Sequence, residues 1–413
     1  EAALMKYDVV IVGGGPAGST AARECAALGL KALILDRAEF PRDKPCGGGV
    51  TARTANLLPF SIEPVVGRVV SDVLFSYKQT DTFERRSERA LASMTRRIDF
   101  DAFLLQKALE AGASLREKSI VREVTRDSRG VEVRTEDETF HANVLVAADG
   151  ANGTTAAMAG VTPKIWKQIA IEGDVTPPGG VPPEWKTRFG LDIGSLSGGY
   201  GWVFPKSDHV NIGVGGWRHL GPTLRTQLAH LTEFYGFKAS DLTGIHGHHL
   251  TIRQPGSPLA EGNTLLVGDA AGLVDPMTAE GIYAAILSGG TAAKHIAQYV
   301  AGEVQDLSGY RRETASTLLA ELNVSRRFHD LFHLTPGFYL WAERHSFVFW
   351  SLAQRILWGD QTYVNVMLRH RVTGTTIDFI SDLVRVTPFL QRKSGLRDPA
   401  PPQRFFMRQA VRP

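Results

Sequence analysis

Apolar residues in this chain fall into short bursts of two kinds. Tyr7-Asp8-Val9-Val10-Ile11-Val12 is nearly continuous, the pattern of a strand buried on both faces of a parallel sheet. Glycines end it, a helical pattern runs to about Leu28, Gly29 closes that helix, and Lys31 to Leu35 reads as a second buried strand. Pro41 to Val50 is an irregular glycine-rich loop. Ile98 to Ala111 predicts an amphipathic helix with Phe100, Phe103, Leu104 and Ala108 on one face. Ile120–Val124, Val131–Thr135 and Phe140–Ala142 predict a small antiparallel meander, and Asn143–Ala148 a further buried strand. From about Lys164 to Thr251 the pattern changes to short alternating runs with paired glycines: Gln168–Val175, Arg188–Ile193, Gly201–Phe204 and Val210–Gly215. Thr264–Val267 returns to the buried type, Gly281–Val300 predicts a helix, and beyond Tyr310 the chain reads as mostly helical.

Bulk composition narrows the class. The 413 residues are too many for one ordinary core, and 43% hydrophobic with 22% charged residues is the makeup of a folded protein. The net charge of +3 comes without a dense basic tract, so no nucleic-acid partner is expected. Only Cys25 and Cys46 are present, which makes a reducing cytoplasm the expected setting. The first apolar run is too short for a secretory leader, and no stretch of about 18 uninterrupted apolar residues exists to span a bilayer.

Two glycine-rich signatures carry the candidate chemistry. Gly13-Gly14-Gly15-Pro16-Ala17-Gly18 lies between a predicted strand and a predicted helix. Such a turn brings a pyrophosphate to a helix N-terminus, where free N–H groups and the helix dipole stabilise negative charge. Asp36 closes the second strand at the distance of an acid that binds an adenosine ribose; the adjacent Arg37 leaves a 2′-phosphate open. Far along the chain, Gly268-Asp269-Ala270-Ala271-Gly272 is followed by Asp275-Pro276 and Glu280-Gly281-Ile282. A chain that leaves a dinucleotide-binding sheet and returns to it points to a resident flavin more than to a transient nicotinamide.

Four further segments add to these. Arg97 opens the pattern R-x-x-F-D-x-x-L, and Asp149-Gly150 follows a buried strand. Lys44-Pro45-Cys46-Gly47-Gly48-Gly49-Val50 and Tyr200-Gly201-Trp202-Val203-Phe204-Pro205 complete the set. Together, over about residues 5 to 310, they resemble the geranylgeranyl reductases, in the flavoprotein superfamily of the aromatic hydroxylases. The resemblance implies an α/β fold with a Rossmann-like FAD-binding domain (5–65, 95–165 and 260–310). It further implies an inserted antiparallel-sheet substrate domain (66–94 and 166–259) and a mostly helical C-terminal region (311–413). Asp269 then bonds the flavin ribityl chain, and the helix after Gly281-Ile282 aims its N-terminus at the flavin edge. Arg97, Val121, Asp149, Gly150, Ala270 and Gly272 join the cofactor-binding set, with Cys46, Gly47 and Gly48 of the cysteine loop. Tyr200, Trp202, Phe204 and Pro205 line an apolar channel for a prenyl lipid, with Cys46, Tyr200 and Trp202 as the catalytic candidates. Electrons come from transient NADPH or a reduced protein donor such as ferredoxin. Gly153-Thr154-Thr155-Ala156 departs from the family's usual continuation after the Asp-Gly motif.

Some readings stay open at this level. Cys46 is a small buried hydrophobe, a proton-transfer group at the flavin, or half of a bridge to Cys25. Within the same superfamily, a monooxygenase acting on an aromatic or lipid is the alternative activity. His246, His248 and His249 read as a polar sheet surface more readily than as a metal site. Phe338–Trp358, rich in Trp and flanked by Arg, reads either as a helical cap on the core or as an interfacial helix in peripheral contact with the inner face of a membrane. The tail residues Arg392, Lys393, Arg397, Arg404, Arg408 and Arg412 would favour an anionic surface.

Overall fold

Val9, Val10 and Ile11 have no exposed surface, and they form the middle of a sheet covered on both faces. The computed structural model describes residues 6–127, 129–369, 377–378, 380–384 and 387–393. The basic tail beyond Lys393 therefore lies outside the described residues, as do the side chains of Arg392 and Lys393.

The chain divides into two compact units. The first contains the residues up to Lys44, Ile98–Trp166 and Leu250–Leu322. Its eight-stranded sheet runs, in spatial order, Ala260–Glu261, Thr264–Leu266, Thr139–Ala147, Lys6–Val12, Ala32–Leu35 and Ser114–Arg116, with Gly130–Arg134 and Glu123–Asp127 branching off. Lys6–Val12 pairs in parallel with Ala32–Leu35 on one side and Thr139–Ala147 on the other, the Rossmann-like arrangement. The two predicted strands Phe140–Ala142 and Asn143–Ala148 are one strand, Thr139–Ala147. Its first half pairs antiparallel with Gly130–Arg134 while its length pairs parallel with Lys6–Val12. Within it the Asn143 amide donates to the Asp8 carboxylate at 3.4 Å. On one sheet face, Val9, Ile11, Ile34, Val144 and Val146 pack under the helices Pro16–Ala27 and Ile282–Val300. On the other, Val10, Leu33, Leu35 and Leu145 pack with the meander.

The second unit contains Pro45–Arg97, Lys167–His249 and the described residues from Asn323 onward. A seven-stranded sheet runs Thr243–Arg253, Ile165–Val175, Val210–Trp217, Tyr200–Pro205, Arg188–Ile193, Asp72–Tyr77 and Asp81–Arg86. All neighbours with given register are antiparallel except Arg188–Ile193 with Asp72–Tyr77. Every residue of Val210–Trp217 is buried. Phe338–Trp358 is two helices, Pro336–His345 and Phe347–Trp358, because the Ser346 hydroxyl accepts the Phe349 N–H and caps the second. Among the described residues no helix is long and apolar enough to cross a membrane.

Candidate functional site

The glycine turn in the first unit is built by close approach. Gly13 has φ +108°, and a Cβ there would stand 2.4 Å from the Ala148 carbonyl oxygen. A Cβ on Gly18 would stand 1.8 Å from the Gly13 carbonyl oxygen. Gly15 precedes the helix that begins with Pro16 and Ala17, and no side chain caps that helix. Its first N–H groups and the positive end of its dipole are therefore available to an anion. Asp36 accepts the Gly14 N–H at 2.6 Å and the Ala38 N–H at 2.8 Å, which fixes its carboxylate beside the turn.

Two cations join the cradle: Arg42, which lies in no motif, and Lys44, which opens the cysteine-glycine motif but was not among the candidate site residues. Arg42 ion-pairs at 3.2 Å with Asp101, which is completely buried, and its guanidinium lies 3.5 Å from where a Gly15 Cβ would be. Lys44 stands 3.7 Å from the Asp269 carboxylate. Their signal in the sequence was the alternation Arg42-x-Lys44 in the loop behind Asp36. Arg37, by contrast, is exposed.

Asp269 opens a short 3-10 turn, Gly268–Ala271, that Gly272 ends in the left-handed conformation. A Cβ on Gly268 would meet Ala17 at 2.9 Å, so this turn, with Ala270 in it, packs directly on the first helix. One on Gly281 would meet the Asp269 carboxylate at 3.0 Å. Gly281 precedes the helix opening with Ile282, again without a capping side chain. Asp275 holds the intervening loop by accepting the Met277 N–H at 2.9 Å.

Asp149, with Gly150 at φ +80°, turns beside Gly13. One Asp149 oxygen accepts the Thr154 and Thr155 N–H groups at 2.8 and 2.9 Å. The other, Oδ1, is buried without a hydrogen-bond partner, an acceptor waiting for a ligand donor. A Cβ at Gly153 would stand 2.2 Å from the Asp149 carboxylate, so a side chain there would displace it. Val121 packs with Val10, Val12, Leu33 and Leu35. Arg97 is 5% exposed at the start of the helix Arg97–Glu110.

These residues fit a bound dinucleotide. The uncapped start of Pro16–Ala27 and Arg42 would meet phosphate charge, the uncapped start of Ile282–Val300 would face a flavin edge, and Asp36 would offer a ribose acceptor. Asp149 and Asp269 supply further acceptors. The fold and this cradle define an FAD-dependent oxidoreductase.

In the second unit, Tyr200, Trp202 and Phe204 stand on one strand with ring centroids 6.0 and 6.2 Å apart in succession. The Trp202 indole N–H donates to Asn211 at 2.9 Å, whose amide donates to Asp174 at 2.9 Å. Pro205 ends the strand, buried. The cysteine loop lies on this face: a Cβ on Gly47 would stand 2.7 Å from Phe204 and 2.9 Å from the Trp202 nitrogen. The Gly48 N–H donates to the Cys46 sulfur at 3.4 Å. Lys206, next after the aromatic motif, donates from its buried ammonium to the carbonyl oxygens of Gly47 and Thr95. Both cysteines are free, which removes the bridge reading. His246 is exposed on its strand, and no metal-holding group occurs among the described residues.

Comparison with known proteins agrees. Residues 6–177 match the FAD binding domain family. A digeranylgeranylglycerophospholipid reductase of Methanopyrus kandleri is 32% identical over 70% of this chain and 80% of its own length. A menaquinone reductase of Mycolicibacterium smegmatis is 32% identical over 70% of this chain and 76% of its own. A crystal structure of a geranylgeranyl bacteriochlorophyll reductase-like protein from Thermoplasma acidophilum superposes with TM-score 0.68 at 26% identity, covering 78% of this chain and 87% of that one. The chain belongs to the geranylgeranyl reductase family of FAD-dependent oxidoreductases.

Proposed function

We propose that this enzyme saturates isolated C=C bonds in a polyprenyl group carried by a lipid, a diphosphate, a chlorophyll or a quinone. The observation that carries this reading is the aromatic strand Tyr200-Trp202-Phe204 with the Cys46-Gly47-Gly48 loop packed on it. Such a face suits hydrocarbon, at roughly 25 cal/mol per Å² of apolar surface buried. The different head groups in the relatives' names support a site that reads the prenyl chain.

Gly13–Gly18, Asp36, Asp149 and Asp269 would hold FAD, which, reduced by transient NADPH or a protein donor such as ferredoxin, would supply hydride chemistry at one alkene carbon. The chain's own residues do the rest. Cys46 gives the proton for the other carbon. Tyr200, Trp202 and Phe204 hold the prenyl chain and keep out water. An unactivated alkene develops no oxyanion to stabilise, so orientation and water exclusion carry the rate.

The test is anaerobic. Dithionite-reduced holoprotein mixed with geranylgeranyl diphosphate should yield products heavier by two hydrogens per double bond by mass spectrometry. No mass gain with this or an extracted prenyl lipid, joined to oxygen-dependent NADPH use with aromatic substrates, would replace the reading by a monooxygenase.

The C-terminal helices support peripheral contact with the membrane that holds such a substrate. Phe338, Trp341, Phe347 and Val348 are 60%, 59%, 80% and 72% exposed within eleven positions. From 336 to 358 the exposed ionisable side chains are Arg344, His345 and Arg355, while the lone carboxylate, Glu343, is buried and pushed up to about 7. An apolar ridge with a basic rim matches an anionic bilayer. The protein should pellet with vesicles containing anionic lipid. Serine at Phe338, Trp341, Phe347 and Val348 together should leave it in the supernatant; a variant that pellets like the parent would sink this docking surface.

A further inference from the structure

Trp217 is a buried polar side chain that the reduction as described leaves unused. It ends the strand Val210–Trp217 and is 5% exposed. Among the described residues its indole N–H is buried without a hydrogen-bond partner. The registers fix where it stands. Trp202 pairs with Gly213 and Tyr200 with Gly215, while Ala170 pairs with Gly215 and Gln168 with Trp217. Paired residues of antiparallel strands share a face, and so do alternate residues along one strand. Trp217 and the buried Gln168 therefore stand on the face that carries the aromatic row. Gly215 and Ala170, both small, floor these two strands between that pair and the position of Trp202. From Gly213 to Trp217 is about 13 Å, at roughly 3.3 Å per residue.

The helix Leu318–Leu334, which belongs to the same unit from Asn323 onward, meets Trp217. The His329 ring stands perpendicular to the indole at 6.0 Å, and the Arg326 guanidinium lies 5.0 Å from the indole centre. The charges here cancel. Arg326 donates at 3.0 Å to Asp330, which is completely buried and also accepts the Ser381 hydroxyl at 3.1 Å. His333, with its ring centre 4.4 Å from that of His329, is buried, and burial holds its imidazole well below the usual range. Further along this face of the two strands come carboxyls, Glu172 opposite Gly213 and Asp174 opposite Asn211. An indole N–H only donates, so its partner is an oxygen acceptor from outside the chain. Burying a phosphate here needs a cation that Asp330 does not already neutralise; a carbonyl needs none.

We propose that the Trp217 N–H, with Gln168 beside it, receives a carbonyl oxygen on an uncharged head group of the prenyl substrate, whose chain runs over Gly215 and Ala170 toward Trp202. This rests on the reductase reading and narrows its head groups to those with a carbonyl, a quinone ring or a chlorophyll-type ester. A diphosphate then serves as substrate only at higher concentration.

The experiment is calorimetric titration of the oxidised, FAD-loaded protein in detergent. Four probes share one chain: a naphthoquinone bearing a geranylgeranyl group, geranylgeranyl acetate, geranylgeranyl methyl ether and geranylgeranyl diphosphate. A carbonyl probe should bind about tenfold more tightly than the ether or the diphosphate. Whichever of the quinone and the acetate binds tighter names the source; equal binding means that the carbonyl alone is read. Trp217→Phe keeps an aromatic ring beside Arg326 but removes the N–H. It should raise the Kd of the carbonyl probe roughly tenfold and leave that of the ether unmoved. Ether or diphosphate bound by the parent as tightly as the carbonyl probes would overturn the proposal, and that comparison holds even if the variant folds poorly. So would an unchanged carbonyl affinity in Trp217→Phe that keeps its flavin spectrum, which plain core packing of the indole predicts. Titration needs no turnover, so failure of the reductase reading shows separately, as carbonyl probes that bind the parent yet gain no mass with its dithionite-reduced form.

Discussion

Gly18→Val should purify without flavin. A Cβ at this position stands 1.8 Å from the Gly13 carbonyl oxygen and 3.2 Å from Ala148, and the nearer atom is backbone, which no rotamer change can move. The helix Pro16–Ala27 must back away from the turn, and its uncapped N–H groups then miss the phosphates. Overpacking of this kind costs about 1–3 kcal/mol. The lost pyrophosphate contacts add to it, so FAD affinity should fall at least a hundredfold, read by the visible spectrum and by titration with FAD. A neighbouring pair isolates the cause. Gly289, on the helix Ile282–Val300, has the Ala17 carbonyl oxygen 2.5 Å from its would-be Cβ, whereas Gly290 has nothing within 4 Å. Gly289→Ala should therefore loosen the same helix start and weaken FAD. Gly290→Ala should keep the flavin and gain roughly 0.5–1 kcal/mol of stability in a thermal melt. Equal flavin retention in the two would show that close helix packing is not what shapes the cradle.

The parts of the cradle that were legible beforehand are those where local sequence alone dictates the backbone. Gly13, Gly15 and Gly18 announce a turn, and Asp36 falls at the end of the next strand; Gly268-Asp269 announces the chain's return. What stayed hidden depends on pairing between distant segments. Arg42 looked like one more charge in an irregular loop, and only the fold brings it to the buried Asp101. Lys206 directly follows a recognised motif, yet its target carbonyls, Gly47 and Thr95, belong to other segments of the chain. Periodicity also failed to join Phe140–Ala142 to Asn143–Ala148, because one strand serves two neighbours of opposite direction and so changes its burial pattern midway. In the C-terminal helices the apolar residues run on without a break, and the stop comes from a single capping hydroxyl at Ser346.

Gly213→Val should slow prenyl reduction on the order of a hundredfold while leaving the flavin spectrum intact. Gly213 pairs in register with Trp202 on the neighbouring strand. Its would-be Cβ stands 2.0 Å from one indole carbon and 2.3 Å from another, so the ring lies flat across the glycine. Any side chain lifts the indole away. The Trp202 N–H then leaves Asn211, whose own tie to Asp174 loses its anchor, and the ring presses on the Gly47 side of the cysteine loop. The cost in stability should be about 1–3 kcal/mol, tolerable in a strand buried throughout. The cost in turnover should be larger, on the order of a hundredfold, because a displacement of about 1 Å in a group that orients substrate is enough for that. FAD should remain bound because the glycine turns, Asp36, Arg42, Asp149 and Asp269 all belong to the other compact unit. Gly179→Ala, where nothing lies within 4 Å of the added carbon, is the matched control and should reduce prenyl substrate as the parent does. Full activity in Gly213→Val would mean that the aromatic strand is core packing, and that the prenyl chain is held elsewhere.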